Sequence, residues 1–202
     1  MEIHNVTEGA ETFTSNAWLA VGERNVLVDA GSAETERTIR RIRDHVDGLD
    51  AVVLTHQHGD HVGSLDAVLD EFDASLAAYG DHPRRDVALS DDDEVRVGDE
   101  TCTVVHTPGH AKDHVALVGE SVVFTGDVVV YNDEAFDDGS FGRTDIPGAS
   151  RETLIESVRR LLDALPPSVG AMYAGHGDGY EGDVHAVVER ALERAERREP
   201  KY

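Results

Sequence analysis

The sequence predicts an α/β protein built from two similar halves, and three observations carry that expectation. The patterns run strands, helix, strand and then strands, helix, strand, helix along the chain. Hydrophobic residues make up 40% of the 202 positions, enough for a packed core without disulfide staples. Several strand-length runs are apolar without alternation, as in strands buried on both faces. The length suits one domain spanning residues 1–202.

The elements follow in order. Asn16 to Val21 and Asn25 to Asp29 read as strands, and Gly22-Glu23-Arg24 between them makes a hairpin. A helix follows Gly31-Ser32, with Ser32 as its predicted N-cap, Glu34 and Glu36 in its first turns, and Ile39, Ile42 and Val46 as its apolar stripe. Leu49 to Thr55 reads as a buried strand. Leu65, Val68 and Leu69 mark a short helix, and Ser75 to Tyr79 another strand. Two hairpins come next: Glu94–Val97 with Thr101–His106, turning at Gly98-Asp99, and Val115–Val118 with Ser121–Thr125, turning at Gly119-Glu120. A helix over about Ser150 to Leu165 places Leu154, Val158, Leu161, Leu162 and Leu165 on one face, and Pro166-Pro167 stops it. Ala171 to Ala174 is expected as the final strand, and Val184, Val187, Val188, Ala191 and Leu192 mark a C-terminal helix.

Composition narrows the function. No apolar run reaches the roughly 18 residues of a membrane span, and Met1 to Asn5 shows no basic region followed by an apolar core. A cytoplasmic location is expected. The one cysteine, Cys102, allows no intrachain disulfide and sits in a strand pattern without a partner to activate it. Acidic residues number 41 against 18 basic, a net charge of -23. Such a charge suits cation or basic-partner binding, disordered tails, or a surface adapted to high salt, where screening removes the self-repulsion. The acids are spread along the whole chain, with one short run at Asp91 to Glu94, which favours the salt-adapted surface. The same charge argues against a nucleic-acid partner, since phosphates call for a basic face. The expected partner is a small-molecule substrate, with neither nucleic acid nor membrane.

The chemistry lies at strand exits. Thr55-His56-Gln57-His58-Gly59-Asp60-His61 follows the strand ending at Leu54 and packs four metal-ligating side chains into six positions. His56 and His58 are two apart, so in extended chain they point to one side. His106-Thr107-Pro108-Gly109-His110, Thr125-Gly126-Asp127 and Gly175-His176-Gly177 each follow an apolar strand in the same way. One such turn is commonplace; four together indicate a metal centre.

These motifs resemble those of the metallo-β-lactamase superfamily, in order along nearly the whole chain, and are similar to its glyoxalase II-like thioester hydrolase branch. Gly142-Arg143-Thr144-Asp145 also matches a motif of that branch and of the related persulfide dioxygenases. The resemblance implies a four-layer αββα sandwich with the metals at one edge between two mixed sheets. It implies that His56, His58 and His110 hold one metal, that Asp60, His61 and His176 hold a second, and that Asp127 bridges them. Two divalent ions are implied, zinc as the usual one, with iron or manganese as alternatives; imidazoles and carboxylates suit all three. Two cations about 3.5–4 Å apart share a water and bring its pKa near ~7, and the hydroxide attacks a carbonyl carbon. Asp60 would orient that water or take its proton. A thiolate leaves without much proton assistance, so a thioester is an easy substrate, and the expected activity is hydroxyacylglutathione hydrolase-like.

Among the remaining candidates, His114 would act beside the site by holding a ligand or loop in place. Tyr131 and Arg143 would line the substrate pocket, Arg143 pairing with a substrate carboxylate or, alternatively, with Asp145. The acidic stretch Asn132 to Asp138 precedes Gly142, and only a helix near Asp183 to Arg198 follows His176, where larger glyoxalase II enzymes carry a C-terminal substrate domain. The main rival reading is an iron-dependent persulfide dioxygenase, which by resemblance would use one iron on His56, His110 and Asp127. A non-catalytic metal-binding module is a third.

Overall fold

The computed structural model describes residues 1–32 and 34–199. The first half forms a six-stranded mixed sheet in the order β1-β2-β3-β4-β5-β6. Its strands are β1 (Glu2–Asn5), β2 (Trp18–Val21), β3 (Val26–Val28), β4 (Ala51–Leu54), β5 (Ser75–Ala78) and β6 (Val87–Ala88). The hairpin strands β1, β2 and β3 pair antiparallel, whereas β3 to β6 pair parallel. The second half mirrors this with a sheet in the order β12-β11-β10-β9-β8-β7. Its strands are β7 (Glu94–Val97), β8 (Glu100–His106), β9 (Val115–Val118), β10 (Val122–Gly126), β11 (Ala171–Ala174) and β12 (Tyr180–Glu181). Only β10 and β11 are parallel there, joined through a helical crossover.

Five helices complete the fold: α1 (Thr35–Arg43), the single turn α2 (Gly59–Val62), α3 (Leu65–Phe72), α4 (Arg151–Ala164) and α5 (Val184–Glu196). The layering can be read residue by residue along the strands. In β4, Val52 and Leu54 pack with Ile42 of α1 and Leu65, Val68 and Leu69 of α3. Ala51 and Val53 turn the other way and meet Val104, Leu117 and Phe124 of the opposite sheet. In β10, Val123 faces Leu154, Val158 and Leu161 of α4 and Val184, Val187 and Val188 of α5. The protein is therefore an αββα sandwich, and the unalternated apolar runs are strands with a helix on one face and a sheet on the other. Each fully buried Leu or Val in these layers contributes about 1.5–3 kcal/mol.

The sequence reading is corrected at four places. Helix α1 does not begin on Ser32: it starts at Thr35 behind Glu34, which holds φ 51° and has no capping side-chain bond. The Ser32 hydroxyl instead donates to the carbonyl of Phe13. Strand β11 is not the last, because β12 pairs with it over Ala171–Glu181 and Met172–Tyr180. β1 and β6 were not anticipated. Strands of two to four residues at sheet edges carry too short a period to read. Cys102 is buried in the layer between the sheets, and burial pushes its thiol up to about 12, so it is a packing residue.

Candidate metal centre

Every anticipated ligand stands just past the carboxyl end of a strand. β4 delivers His56, His58, Asp60 and His61; β8 delivers His110; β10 delivers Asp127; β11 delivers His176. Backbone bonds tie the two sheets at this end: Val115 N donates to Thr55 O at 2.8 Å and Asn16 N to Gly175 O at 2.7 Å. Trp18 Nε1 and Asn16 Nδ2 both donate to the carbonyl of Ala174, at 2.8 and 2.9 Å, fixing the loop that carries His176.

All seven side chains meet. His58 Nδ1 lies 3.0 Å from His56 Nε2 and 2.9 Å from His110 Nε2. Asp127 Oδ2 lies 3.2 Å from His110 Nε2 and 3.6 Å from His176 Nε2, and Asp127 Oδ1 lies 3.5 Å from His61 Nε2. His176 Nε2 is 3.1 Å from Asp60 Oδ2. Three overlapping sets could each hold a cation: His56, His58 and His110; His56, His61 and Asp127; Asp60, His61 and His176. One proton cannot satisfy three nitrogens converging on a point, and the spacings resemble the roughly 3.3 Å edge of a tetrahedron with metal–nitrogen bonds of ~2.0–2.1 Å. The fit has an independent sign: His61 Nε2 and Asp127 Oδ1 are buried without a hydrogen-bond partner, which costs stability unless something else pairs with them.

The far sides of the rings set which nitrogen faces the site. His61 Nδ1 donates to Asp29 Oδ2 at 2.8 Å, and Thr55 gives Asp29 its backbone N–H at 2.8 Å and its hydroxyl at 2.7 Å. With its proton committed to Asp29, the Thr55 oxygen accepts from His56 Nδ1 at 3.1 Å. His110 Nδ1 donates to the carbonyl of Arg143 at 2.8 Å. His56 and His110 therefore turn an Nε2 lone pair inward, and His61, its Nδ1 proton held by Asp29, turns its Nε2 to the same point. Burial drives His56 and His110 below the usual imidazole range. Burial works against charge on His61 as well, but Asp29 and Asp127 outweigh it and raise that ring well above its usual value. Burial opposes the charge of Asp127, yet His176, His61 and His56 hold the carboxyl well below the ordinary range. The surround thus calls for positive charge at this point.

His114 does not reach the cavity. It is fully buried, with Nδ1 donating to Thr107 Oγ1 at 2.8 Å and Nε2 accepting the backbone N–H of Asp127 at 2.9 Å. Burial lowers it to about 3, which keeps it neutral and able to accept. His114 thus stands behind the site and holds the backbone of Asp127, a positioning contact and not one with the reacting atoms. Tyr131 likewise departs from its expected place: it does not line the cavity, and its ring lies 4.6 Å from that of Tyr180 against the outer core. Arg143 does line the cavity, and its Nε and Nη2 donate to Asp145 at 2.9 and 2.8 Å.

Glycines let the loops close. A Cβ on Gly175 would stand 2.2 Å from Asp127 Oδ1 and 2.7 Å from His61 Cε1. Gly175→Ala is expected to displace both side chains and weaken metal binding about 10- to 100-fold, the range for misplaced supporting groups, measured by competition with a chelator of known affinity.

Sequence reasoning missed Asp29, Asn16, Trp18 and Phe13. Asp29 directly follows β3 in the same strand-exit setting as the ligands, so that rule applied to every acid after a strand would have found it. Phe13 carries no local signal.

Residues 10–176 match the family model described as the metallo-beta-lactamase superfamily. A hydroxyacylglutathione hydrolase from Psychromonas ingrahamii is 32% identical over 155 residues, covering 75% of this chain but only 56% of that enzyme. Hydroxyacylglutathione hydrolase GloC from Haemophilus influenzae is 28% identical over 180 residues, covering 77% of this chain and 81% of that one. The crystal structure of ETHE1 from Myxococcus xanthus superposes with a TM-score of 0.77 over 99% of this chain and 92% of that chain, at 24% identity, a likeness of fold alone. The chain belongs to the metallo-β-lactamase superfamily, whose members are mostly hydrolytic metalloenzymes.

Proposed function

We propose that the chain hydrolyses a thioester at a centre of two divalent cations, one held by His56, His58 and His110, the other by Asp60, His61 and His176, with Asp127 between them. When bound, the cations would polarise the substrate carbonyl and bring water near neutrality as a nucleophile. Asp60 would handle the proton, a role supported by its position: its side chain is 21% exposed, lines the cavity, and its Oδ2 faces His176 Nε2. Burial raises the Asp60 carboxyl, but the bond from His176 and the charge of His61 lower it further, so it stays an acceptor. His110, His58 and His176 border the same cavity, of about 780 Å³, where the carbonyl would be placed.

The observation that carries this reading is the pair of orphaned atoms, His61 Nε2 and Asp127 Oδ1. A single iron on His56, His110 and Asp127, as in the persulfide dioxygenase reading, leaves Asp60, His61 and His176 converged without purpose. The hydroxyacylglutathione hydrolases among the relatives support a thioester over other acyl compounds. The deciding experiment is metal quantification on the purified chain together with assays on a thioester and a persulfide. Two zinc, iron or manganese ions per chain and thioester turnover are expected. One iron per chain with oxygen consumption on the persulfide would overturn the proposal.

The charge of -23 further supports a surface adapted to molar salt. Many of its arginine–carboxylate pairs are surface pairs such as Arg159–Glu196 and Arg190–Asp138, which contribute at most ~1 kcal/mol each and cannot offset the repulsion. Dilution from molar to low salt is expected to cost about 3 kcal/mol, a Tm fall of roughly 6–12 °C at this chain length. A melting scan across salt concentrations checks it, and an unchanged Tm would refute the adaptation.

A further inference from the structure

Beyond the ligands, the lining of the metal-site cavity is made of apolar and acidic residues. Phe13 stands on the apolar side. The residue is 78% exposed, and its ring stacks on that of His176 at 5.4 Å and 16°. Single exposed apolar side chains are ordinary, but this one is held in register with the metal centre. The next residues are bonded to the ligand loops, Ser15 N to Asp60 O at 3.2 Å and Asn16 N to Gly175 O at 2.7 Å. The carbonyl of Phe13 itself accepts from the Ser32 hydroxyl. Ile146, Val130 and Ala135 extend the apolar side.

The acidic side is the rim. Outside the ligands, the lining contributes Asp133, Glu134 and Asp178. Among the described residues of the lining, Arg143 is the only permanent cation, and its guanidinium is bonded to Asp145, a further carboxylate. The rim is held in shape. Asn132 and Glu134 take left-handed φ of 48° and 70°, and Asn132 Nδ2 donates to Asp178 Oδ2 at 2.5 Å. Arg190 and Arg194 both pair with Asp138 at 2.7 Å at the end of the same loop. Among the described residues, a carboxylate on a substrate's thiol arm would thus meet negative charge at the rim, where the lining guanidinium of Arg143 is already bonded to an acid.

We propose that the substrate is a thioester with an apolar acyl group seated against Phe13 and Ile146, and with a thiol arm that carries no carboxylates, so that a dicarboxylate carrier such as glutathione is disfavoured. This rests on the thioester reading and names its substrate class; Phe13 selects the acyl part, and the Asp133–Glu134–Asp178 rim selects the carrier. The cleavage is a plain hydrolysis: the carbonyl carbon gains the water oxygen, the water's proton passes to Asp60 and on to the departing sulfur, and the C–S bond breaks with its electron pair leaving on the thiolate.

The test uses uncleavable thioethers first, so that binding is read apart from turnover. S-benzyl-N-acetylcysteamine is expected to bind the full chain, by calorimetry without added metal, at least fivefold more tightly than S-benzylglutathione. Phe13→Ala should weaken its binding about tenfold, the effect of losing one large apolar contact, with Phe13→Leu recovering part of that. Glu134→Lys should improve S-benzylglutathione binding about fivefold, more at low salt than at high. Equal or tighter binding of the glutathione thioether, or indifference to Phe13→Ala in a variant whose circular dichroism spectrum is unchanged, would overturn the inference. In parallel, the metal-loaded chain is assayed on S-benzoyl and S-acetyl esters of N-acetylcysteamine and of glutathione. A benzoyl-over-acetyl preference that falls about tenfold in Phe13→Ala supports the inference. Absence of turnover on all four, with the thioethers binding as expected, would instead sink the hydrolase reading.

Discussion

Asp127→Ala is expected to abolish turnover, by about 10³-fold or more, and to lower bound metal from two equivalents to one or none. The carboxylate is buried, 4% exposed, and is the one acid within 3.6 Å of His61, His110 and His176 together. Removing it takes away the carboxylate that these three imidazoles share, and two cations would then repel across the gap. A preorganised charged group at a reacting centre commonly carries a factor of 10²–10³ by itself, and loss of a metal compounds it. Emission spectrometry on the dialysed variant, beside a kcat measurement, tests this. Two equivalents of metal retained in Asp127→Ala would remove it from the centre.

The second large effect concerns a residue that touches no substrate. Asp29→Ala is expected to destabilise the chain by about 3–5 kcal/mol, the cost of stripping one partner from a buried charged pair, and to weaken metal binding about 10- to 100-fold. Asp29 is 2% exposed and accepts three hydrogen bonds, all from donors at the root of the ligand loop. Asparagine does not rescue it, because its amide must turn N–H groups toward Thr55 or His61, which are themselves donating. Denaturant unfolding in molar salt gives the stability, and chelator competition gives the affinity. A loss below about 1 kcal/mol in both Asp29→Ala and Asp29→Asn would show that His61 and Thr55 do not depend on it.

How far the fold and site could be read from sequence follows from where the signal lies. The ligands were legible because histidine and aspartate directly after an apolar run are chemically distinct from their neighbours, as at Leu54-Thr55-His56 and Phe124-Thr125-Gly126-Asp127. The four layers were legible because β4 reads Ala-Val-Val-Leu and β10 opens Val-Val-Phe, apolar runs without alternation that fit burial on both faces. What was not legible depended on a choice between equal partners. The Ser32 hydroxyl could cap a helix or bond a neighbouring strand's exit loop, and it bonds the Phe13 carbonyl. Tyr131 could turn to the cavity or to Tyr180, and only the packing of α5 and β12 decides that it turns to Tyr180. Phe13 lies over a hundred and sixty positions from His176, and no local pattern announces such a meeting.

The strand-exit placement of the ligands has a mechanical meaning. Four come from the first sheet and three from the second, so any cation seated between them rivets one half of the polypeptide to the other at a single rim. Among the described residues, the groups that could hold an ion all lie at this rim and none at the opposite one. Withdrawing the ion should therefore let the sandwich gape from the active end first, with amide exchange rising at Thr55, Val115 and Gly175 before it rises anywhere in the helices.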